Sequence, residues 1–362
     1  MIDKILLFPY WFALKLRHFM FDKGIRKISK TTVPSICIGN ITVGGTGKTP
    51  HTEMLLRILL EDEEWKSRNI AVLSRGYKRS TRGFQQVTAD GSAKDYGDEP
   101  LQIKRKFPEV TVAVDKSRKE GCSFLCHPDT LQISRKARRC RNKNLPGADM
   151  IILDDAFQHR AVKASASIVL VDYNRPVFND HLMPIGRLRD LPERLAAADI
   201  IIVTKCPPDM NVWERSRWVN ALKTSDRQRI FFTKICYDTP APIYPEGDAR
   251  YIYAKKLILF SGIADDTPLR YFLSSSYKIV RHFNFPDHHK FSLADIRSIE
   301  GAVKDYPTSV VMTTEKDCQR IRDCRKLSDN LKVRMFYTPI KTEFLSENDK
   351  AEFVTTLKSF LK

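Results

Sequence analysis

Six short, continuously apolar runs, separated by helix-sized gaps, dominate the first two thirds of the chain. The runs are residues 35–38 (SICI), 70–73 (IAVL), 110–114 (VTVAV), 150–153 (MIIL), 168–171 (IVLV) and 200–203 (IIIV). A strand that is apolar throughout, rather than alternating, is buried on both faces, as in a parallel sheet covered by helices. The sequence therefore predicts a doubly wound α/β domain over residues 29–228.

A proline-rich passage separates this region from a second alternation of strand-like and helix-like segments. The passage contains Pro240, Pro242 and Pro245, and it predicts a linker over residues 229–250. The second alternation begins at LILF (257–260) and continues towards the C-terminus. Residues 251–362 are therefore expected to form a smaller α/β domain.

The N-terminal segment, residues 1–28, has an aromatic-rich apolar run flanked by basic residues. Residues 5–14 read ILLFPYWFAL, and Lys15 and Arg17 follow. Ten uncharged residues are too few to span a bilayer, which needs about 20. The pattern predicts an amphipathic helix lying in a membrane interface. The alternative is a helix docked on the protein's own core, and both descriptions can hold in part.

The chain is strongly basic, with 61 Lys and Arg against 43 Asp and Glu, a formal net charge of +18. Such an excess suits an anionic partner, either nucleic acid, an anionic membrane or a phosphorylated substrate. An uncommitted basic surface is the simpler alternative. Because the aromatic residues of segment 8–21 stand beside aliphatic ones, we expect a lipid partner and no nucleic acid.

The glycine-rich stretch ITVGGTGKTP (41–50) follows a predicted buried strand and precedes a helical pattern. Its candidate nucleotide-binding residues are Thr42, Val43, Gly44, Gly45, Thr46, Gly47, Lys48 and Thr49. Backbone N–H groups of such a loop cradle phosphates, the lysine reaches the β- and γ-phosphates, and the Thr hydroxyl ligates Mg²⁺. One position departs from the P-loop pattern, because Thr42 stands where glycine is usual.

Two adjacent carboxylates end another predicted strand, in ILDDAFQHR (152–160). Asp154 and Asp155 would lie where P-loop proteins hold the Mg²⁺ of a bound nucleotide. An ordinary strand-end turn is the alternative. The preceding glycine-rich loop favours the metal-binding interpretation.

Cys122, Cys126, His127 and Cys140 form a looser cluster. Their spacing is too irregular to predict a zinc site, so free thiols are the default expectation.

An ordered set of motifs closely resembles the tetraacyldisaccharide 4′-kinase family. The set comprises TVGGTGKTP, LSRGY (73–77), GDEP (97–100), DDAFQHR, PIGRLRDLPERL (184–195), FPDHH (285–289) and TTEKD (313–317). The resemblance implies ATP and Mg²⁺ as cofactors and phosphorylation of the 4′ position of the lipid A precursor. It also implies two α/β domains with the active site between them. A peripheral protein at the cytoplasmic face of the inner membrane, and a monomer, are expected.

The same resemblance assigns catalytic roles to particular residues. Asp98 matches the family's proposed catalytic base and His288 its partner, with Lys48 on the phosphates. A carboxylate that accepts the proton of the sugar hydroxyl makes chemical sense. Because Asp98 and His288 are about 190 residues apart in the sequence, domain closure would bring them together. As alternatives, GDEP is a plain helix start and the histidine a solvated loop residue.

The remaining candidates also rest on the resemblance. Asp190 replaces the glutamate that ends the family's GRLR segment and is expected to contact Mg²⁺ directly or through water. Ala156 replaces the usual glycine after the Asp pair, so ordinary backbone geometry is expected there. Candidate phosphate contacts are Arg75, Lys116, Arg118, Arg187 and Arg189, and at each a solvated surface charge is the alternative.

Two other functional classes remain open at this stage. A nucleotide-driven switch or metallochaperone would use the same glycine-rich loop without an acceptor sugar. A nucleic-acid-binding ATPase is suggested only by the net charge.

Overall fold

A computed structural model describes residues 2–322, 324 and 327–361, and describes side chains from residue 7 onwards. Over these residues the strands, in chain order, are β1 (Ser29–Lys30), β2 (Ser35–Gly39), β3 (Ile70–Ser74), β4 (Gln85–Gln86), β5 (Thr111–Val114), β6 (Met150–Asp154), β7 (Val162–Lys163), β8 (Ala166–Asp172), β9 (Ile200–Thr204), β10 (Arg229–Tyr237), β11 (Ala241–Pro242), β12 (Lys256–Ser261), β13 (Lys278–Asn284), β14 (Val310–Thr314), β15 (Met335–Thr338) and β16 (Ile340–Phe344). The helices are α1 (Ile2–Asp22), α2 (Lys48–Glu61), α3 (Ala93–Tyr96), α4 (Asp98–Lys106), α5 (Arg118–Cys126), α6 (Thr130–Ile133), α7 (Val212–Leu222), α8 (Thr267–Ser274), α9 (Leu293–Asp305), α10 (Glu315–Ile321), α11 (Asp329–Lys332) and α12 (Glu347–Leu361).

A nine-stranded sheet forms the larger part of the fold, in the order β16-β10-β9-β8-β2-β6-β3-β5-β4. Its strands from β10 to β5 are parallel, and the edge strands β16 and β4 pair antiparallel. Strands β2, β3, β5, β6 and β9 are buried at every residue. The predicted parallel sheet, covered on both faces, is therefore confirmed.

Helices cover the two faces of this sheet in separate hydrophobic clusters. On one face α2, α4 and α12 pack through residues such as Leu55, Leu101 and Phe353. On the other face α1, α5 and α7 pack through Leu14, Leu125 and other buried side chains. The glycine-rich loop lies at the carboxyl edge of the sheet, where β2 leads into α2. This edge is where open α/β sheets bind ligands.

A five-stranded sheet, in the order β11-β15-β14-β12-β13, forms the second part. Strands β15, β14, β12 and β13 are parallel. Helices α9 and α10 pack on one face of it and α8 on the other. The predicted second α/β alternation is present.

The path of the chain between the two sheets differs from the predicted domain boundaries at residues 228 and 250. Strand β10 (Arg229–Tyr237) belongs to the nine-stranded sheet, although its residues were assigned to the linker. The chain returns to that sheet at β16, where Phe344 pairs with Thr233, and α12 packs on its face. Local patterns show that a strand exists but not which sheet it joins, because pairing over about 100 residues depends on tertiary contacts.

Charged side chains fasten the two sheets together next to the candidate site. Lys106 Nζ, at the end of α4, lies 2.7 Å from Glu53 Oε2 of α2 and 2.8 Å from Glu315 Oε1 of α10. The Glu53 and Glu315 side chains are buried. Because a buried carboxylate without a partner is strongly destabilising, this triad favours one arrangement of the three helices.

Helix α1 packs on the protein by one side and exposes a row of large apolar residues on the other. Leu14, His18 and Phe21 are buried. The exposed side carries Phe8, Trp11, Phe12, Leu16 and Phe19. In the described part of the chain, every helix falls short of the length and apolar character needed to cross a bilayer. Core docking is thus observed for one face, and membrane contact stays a prediction for the other.

Candidate active site

The glycine-rich loop between β2 and α2 exposes backbone donors at a helix start. Gly44 and Gly47 have φ values of 104° and 86°, which an L side chain rarely adopts. Gly47 caps α2 without a side-chain hydrogen bond from the described residues. The first N–H groups of α2 therefore face outwards and are available to an anion.

Thr42 has an ordinary role at the position where the P-loop pattern has glycine. It is buried and bridges to Leu188, while the N–H of Val43 donates to the carbonyl of Arg187 at 2.8 Å. This strand-like pairing suits a β-branched residue. The loop tolerates Thr42 because a positive φ is required only at later positions, Gly44 and Gly47.

His51 links the glycine-rich loop to the large sheet. Its Nδ1 lies 2.7 Å from the carbonyl of Gly47 and its Nε2 lies 2.9 Å from Oγ1 of Thr233 in β10. A carbonyl only accepts, so Nδ1 carries the proton and Nε2 accepts from Thr233. Burial lowers the pKa of His51 to about 4. The neutral ring thus joins the loop to the middle of the sheet.

We expect this burial to make stability depend on pH. The folded pKa of His51 lies below its ordinary value of 6.5, so between about pH 4 and 6.5 the unfolded state binds more protons. The free energy of unfolding should then fall as pH drops, by roughly 2 kcal/mol from this residue between pH 7 and 5. Denaturant unfolding of His51→Gln at several pH values should show a flatter profile, whereas exposed His127→Gln should keep the wild-type slope. Equal slopes for all three proteins would contradict a buried neutral His51.

Asp154, at the end of β6, is a buried carboxylate that is costly to charge. Ser74 Oγ donates to its Oδ2 at 3.0 Å, and Arg118 Nη2 donates to its main-chain carbonyl at 2.8 Å. Burial, with the nearby charges of Glu99 and Asp155, raises the pKa of Asp154 to about 6. A cation next to this cluster would relieve that repulsion.

Asp155 faces the glycine-rich loop. Its Oδ1 lies 3.8 Å from Lys48 Nζ, and its carboxylate also accepts hydrogen bonds from the guanidinium of Arg189. Burial raises the pKa of Asp155, but Lys48 and Arg189 outweigh it, so the pKa lies below its usual value. The positive φ of this turn, 47°, falls on Asp155 and not on Ala156, as expected for alanine there.

Asp98 and His288, 190 residues apart in the sequence, meet between the two sheets. Asp98 opens α4, and His288, with φ of 63°, lies in the loop between β13 and α9. Their Oδ2 and Nδ1 atoms are 3.4 Å apart. The two side chains were expected to meet on domain closure, and the structure already places them together.

Cations from α10 surround this pair. Arg320 Nε donates to Asp98 Oδ2 at 2.7 Å, and Lys316 Nζ lies 3.3 Å from His288 Nε2. Burial raises the pKa of Asp98, but the bonds from His288 and Arg320 prevail and hold the pKa below the usual range. Asp98 is therefore a carboxylate at neutral pH, as a proton acceptor must be.

Sequence reasoning missed two residues of this site. Arg320 is buried and also binds Asp317 Oδ1 at 2.7 Å, which fixes its direction. No local pattern marks Arg320, because its partner Asp98 lies 222 residues away in the sequence. The second is Glu99, whose charge helps to raise the pKa of Asp154. Its adjacency to Asp98 in GDEP was the available clue.

Asp190, expected as a Mg²⁺ ligand, contacts α1 through one carboxylate oxygen. It is fully buried, and its Oδ1 lies 2.6 Å from His18 Nε2 of α1 and accepts from the N–H of Leu191. Among the described residues, Asp190 shares no hydrogen-bond partner with Asp154 or Asp155. The neighbouring Arg189 contacts Asp155 instead. The other carboxylate oxygen of Asp190, Oδ2, is buried and has no hydrogen-bond partner among the described residues.

The basic candidates divide by their surroundings. Arg118 is buried and bonded to the carbonyls of Asp115 and Asp154, so it supports the end of β6. Arg189 is engaged with Asp155. Arg75, Lys116 and Arg187 are exposed at the ends of β3 and β5 and beside the loop, and Arg187 lines the recess over residues 42–46.

The oxygen ligands at this edge of the sheet suit a Mg²⁺ ion that also binds water and substrate phosphates. They do not form a metal site made of protein side chains alone. In residues 2–322, 324 and 327–361, no group of three or more His, Cys, Asp and Glu side chains is placed to hold a metal. Mg²⁺ needs fewer protein ligands, because it retains waters and binds through one or two carboxylates plus substrate phosphates. Asp154, Asp155 and the hydroxyl of Thr49 form such a set.

A protein-family model described as tetraacyldisaccharide-1-P 4′-kinase matches residues 4–362. The chain belongs to this family. The resemblance inferred from the ordered motifs is thereby confirmed, and it extends past residue 320 to the C-terminus.

Relatives of this kinase family match nearly the whole chain. A tetraacyldisaccharide 4′-kinase from Phocaeicola vulgatus is 37% identical over 347 residues, which covers 94% of this chain and 90% of the relative. One from Flavobacterium johnsoniae is 36% identical over 364 residues, covering 99% and 97%. A crystal structure of LpxK from Aquifex aeolicus in complex with ATP covers 100% of both chains with a TM-score of 0.70 and 23% identity, which supports the fold.

Proposed function

We propose that this chain transfers the γ-phosphoryl group of ATP to the 4′-hydroxyl of a tetraacyldisaccharide 1-phosphate, the lipid A precursor. Its family membership makes it a kinase. The observation that carries the residue-level proposal is the meeting of Asp98 and His288 between the two sheets. We further propose that it works as a monomer, peripherally, at the cytoplasmic face of the inner membrane.

ATP would bind with its phosphates on the glycine-rich loop. The outward N–H groups at the start of α2 would hold the phosphate oxygens, and Lys48 would lie beside the β- and γ-phosphates. Thr49, Asp154 and Asp155 would hold Mg²⁺. When bound, Mg²⁺ supplies positive charge that offsets the negative charge developing on the phosphoryl oxygens.

Asp98 would act as the general base. As the 4′-oxygen forms its bond to the γ-phosphorus and the bond to the β-phosphate oxygen breaks, the hydroxyl proton passes to a carboxylate oxygen of Asp98. His288 and Arg320 position that carboxylate and keep it deprotonated before the reaction. ADP is the leaving group, and the products are ADP and the 4′-phosphorylated lipid.

The exposed row on α1 gives the substrate a route from the membrane. Phe8, Phe12, Leu16 and Phe19 are each about half exposed on one side of the helix. On the docked side, Tyr10 Oη donates to the carbonyl of Arg189 at 2.9 Å, so α1 lies next to the segment that contacts Asp155. An acylated sugar dissolved in the bilayer would therefore be close to the glycine-rich loop.

The reaction is tested by transfer of labelled γ-phosphate from ATP to a tetraacylated disaccharide 1-phosphate in mixed micelles. We expect a labelled 4′-phosphate product, and Lys48→Ala should lower its rate by about 10²-fold because a cation aimed at the transferring phosphate is lost. Lys66→Ala, a change of an exposed lysine, serves as the matched control. Hydrolysis of ATP that ignores the lipid and yields no labelled lipid would refute the kinase and favour a nucleotide switch.

A further inference from the structure

The face of the large sheet that carries α1 also has a strongly basic surface, separate from the exposed apolar row of that helix. Five of the nine residues 133–141 are Lys or Arg and none is acidic. Ala137 and Cys140 of this stretch are buried in the same hydrophobic cluster as Leu14 of α1. The residues between them point outwards, and Arg138 and Arg139 are exposed. We call residues 133–141 the basic segment.

The basic segment is held in place by a buried amide. Gln85 of β4 is buried, and its Nε2 donates to the carbonyl of Arg139 at 2.6 Å. Its Oε1 accepts from the N–H of Arg141 at 3.1 Å. A side-chain amide that bonds the main chain on both sides fixes the course of that chain. The arginines are therefore displayed on an ordered support.

Most of the charge in this segment is uncompensated. Lys136 pairs with Glu120, and Arg141 with Asp95. Within the part of the chain that the structure describes, Arg135, Arg138 and Arg139 form no ion pair with an acidic side chain. Next to them Ile133 is 84% exposed, an unusual exposure for a large aliphatic residue. A basic cluster with an exposed aliphatic residue matches the chemistry of a lipid headgroup region.

The basic segment and α1 pack on the same face of the large sheet. Helix α1 is bonded to the residues after β6, where Arg17 donates to the carbonyl of Gln158. The segment is bonded to β4, three places from β6 in the strand order. Strand spacing places β4 about 15 Å from β6 across the sheet. On the same face, a groove of about 200 Å³ beside α5 is lined by Lys30, Lys119 and His127.

We propose that the basic segment is a second membrane contact, which binds the headgroups of an anionic bilayer while the apolar row of α1 enters its interface. The proposal rests on the proposed docking of α1 and adds a contact that selects for lipid charge. Two separated contacts also fix the rotation of the enzyme on the membrane, so that the carboxyl edge of the sheet keeps one orientation towards the lipid substrate.

The test compares flotation of the full chain with phosphatidylcholine vesicles that contain or lack phosphatidylglycerol. The variant Arg135→Gln/Arg138→Gln/Arg139→Gln should bind the anionic vesicles about 10–100-fold more weakly, since each basic residue near such a surface contributes about a 5-fold change. Its weak binding to neutral vesicles should stay the same. Replacing the same three residues with lysine should retain the binding, because charge and not arginine geometry is used.

A matched control removes three exposed basic residues of β13 and α9, in Arg281→Gln/Arg297→Gln/Lys304→Gln, and should lose much less binding. The variant Phe12→Ser/Phe19→Ser tests α1 and should weaken binding to both kinds of vesicle. Full anionic binding by the basic-segment variant, with loss in the α1 variant, would refute the second contact and leave the docking of α1 standing. Unchanged binding in both would refute both membrane contacts, while lipid phosphorylation in micelles reports on the kinase separately.

Discussion

Replacing Asp98 with asparagine should lower kcat for phosphoryl transfer by about 10²–10⁴-fold and leave ATP affinity nearly unchanged. Asparagine keeps the shape of the side chain but cannot accept the proton of the 4′-hydroxyl. Asp98 is the first residue of α4 and faces His288 and Arg320, so nucleotide contacts at the glycine-rich loop should survive. Steady-state transfer to the lipid and calorimetric titration with ATP separate the two effects.

Asp287→Asn is the matched control for this experiment. Asp287 precedes His288, is partly exposed and lies 3.4 Å from Lys316 Nζ, so the variant removes one carboxylate from the same neighbourhood. We expect kcat within a few-fold of wild type. If Asp98→Asn instead abolished ATP binding, or kept its kcat, Asp98 would be a structural partner of Arg320 and not the base.

Local features of the fold were predictable from sequence because they depend on neighbours along the chain. A continuous apolar run marks a buried parallel strand, and the loop of residues 41–50 between a strand and a helix carries its own geometry. Of the three glycines in this loop, Gly44 and Gly47 adopt positive φ and Gly45 does not. Asp154 and Asp155 end a strand, so their position at the sheet edge also followed from the pattern.

Features that depend on contacts between distant segments were not predictable in this way. Strand β10 was assigned to the linker because proline residues follow it, yet its partner β16 comes about 100 residues later. Asp190 was assigned to Mg²⁺ by likeness to the family, and its contact with His18 of α1, 172 residues earlier, could not be read from a local pattern. Arg320 is 222 residues from Asp98, a pairing that no periodicity in the chain reveals.

Replacing Asp154 is expected to raise the stability of the protein and to lower its activity. The pKa of Asp154 in the folded chain, about 6, exceeds its ordinary value of 3.8, so between these pH values the folded state binds more protons than the unfolded state. The free energy of unfolding therefore falls as pH rises through this window, and the full cost, about 3 kcal/mol, is present at pH 7. Asp154→Asn should remove that cost and raise the stability of the nucleotide-free protein at pH 7, with little gain near pH 4.

The same substitution should lower lipid phosphorylation by about 10³-fold, because a proposed Mg²⁺ ligand is lost and with it several kcal/mol of charge stabilisation. Thermal unfolding with and without ATP and Mg²⁺ measures both the stability of the ligand-free variant and its loss of ligand binding. The added ligands should stabilise wild type far more than the variant. Asp172→Asn is the control: it ends β8, and its carboxylate is paired with Lys205 Nζ at 2.6 Å, so its loss should not stabilise the chain. A variant of Asp154 that is less stable than wild type at pH 7 would show that its hydrogen bonds from Ser74 and Thr52 outweigh the burial of its charge.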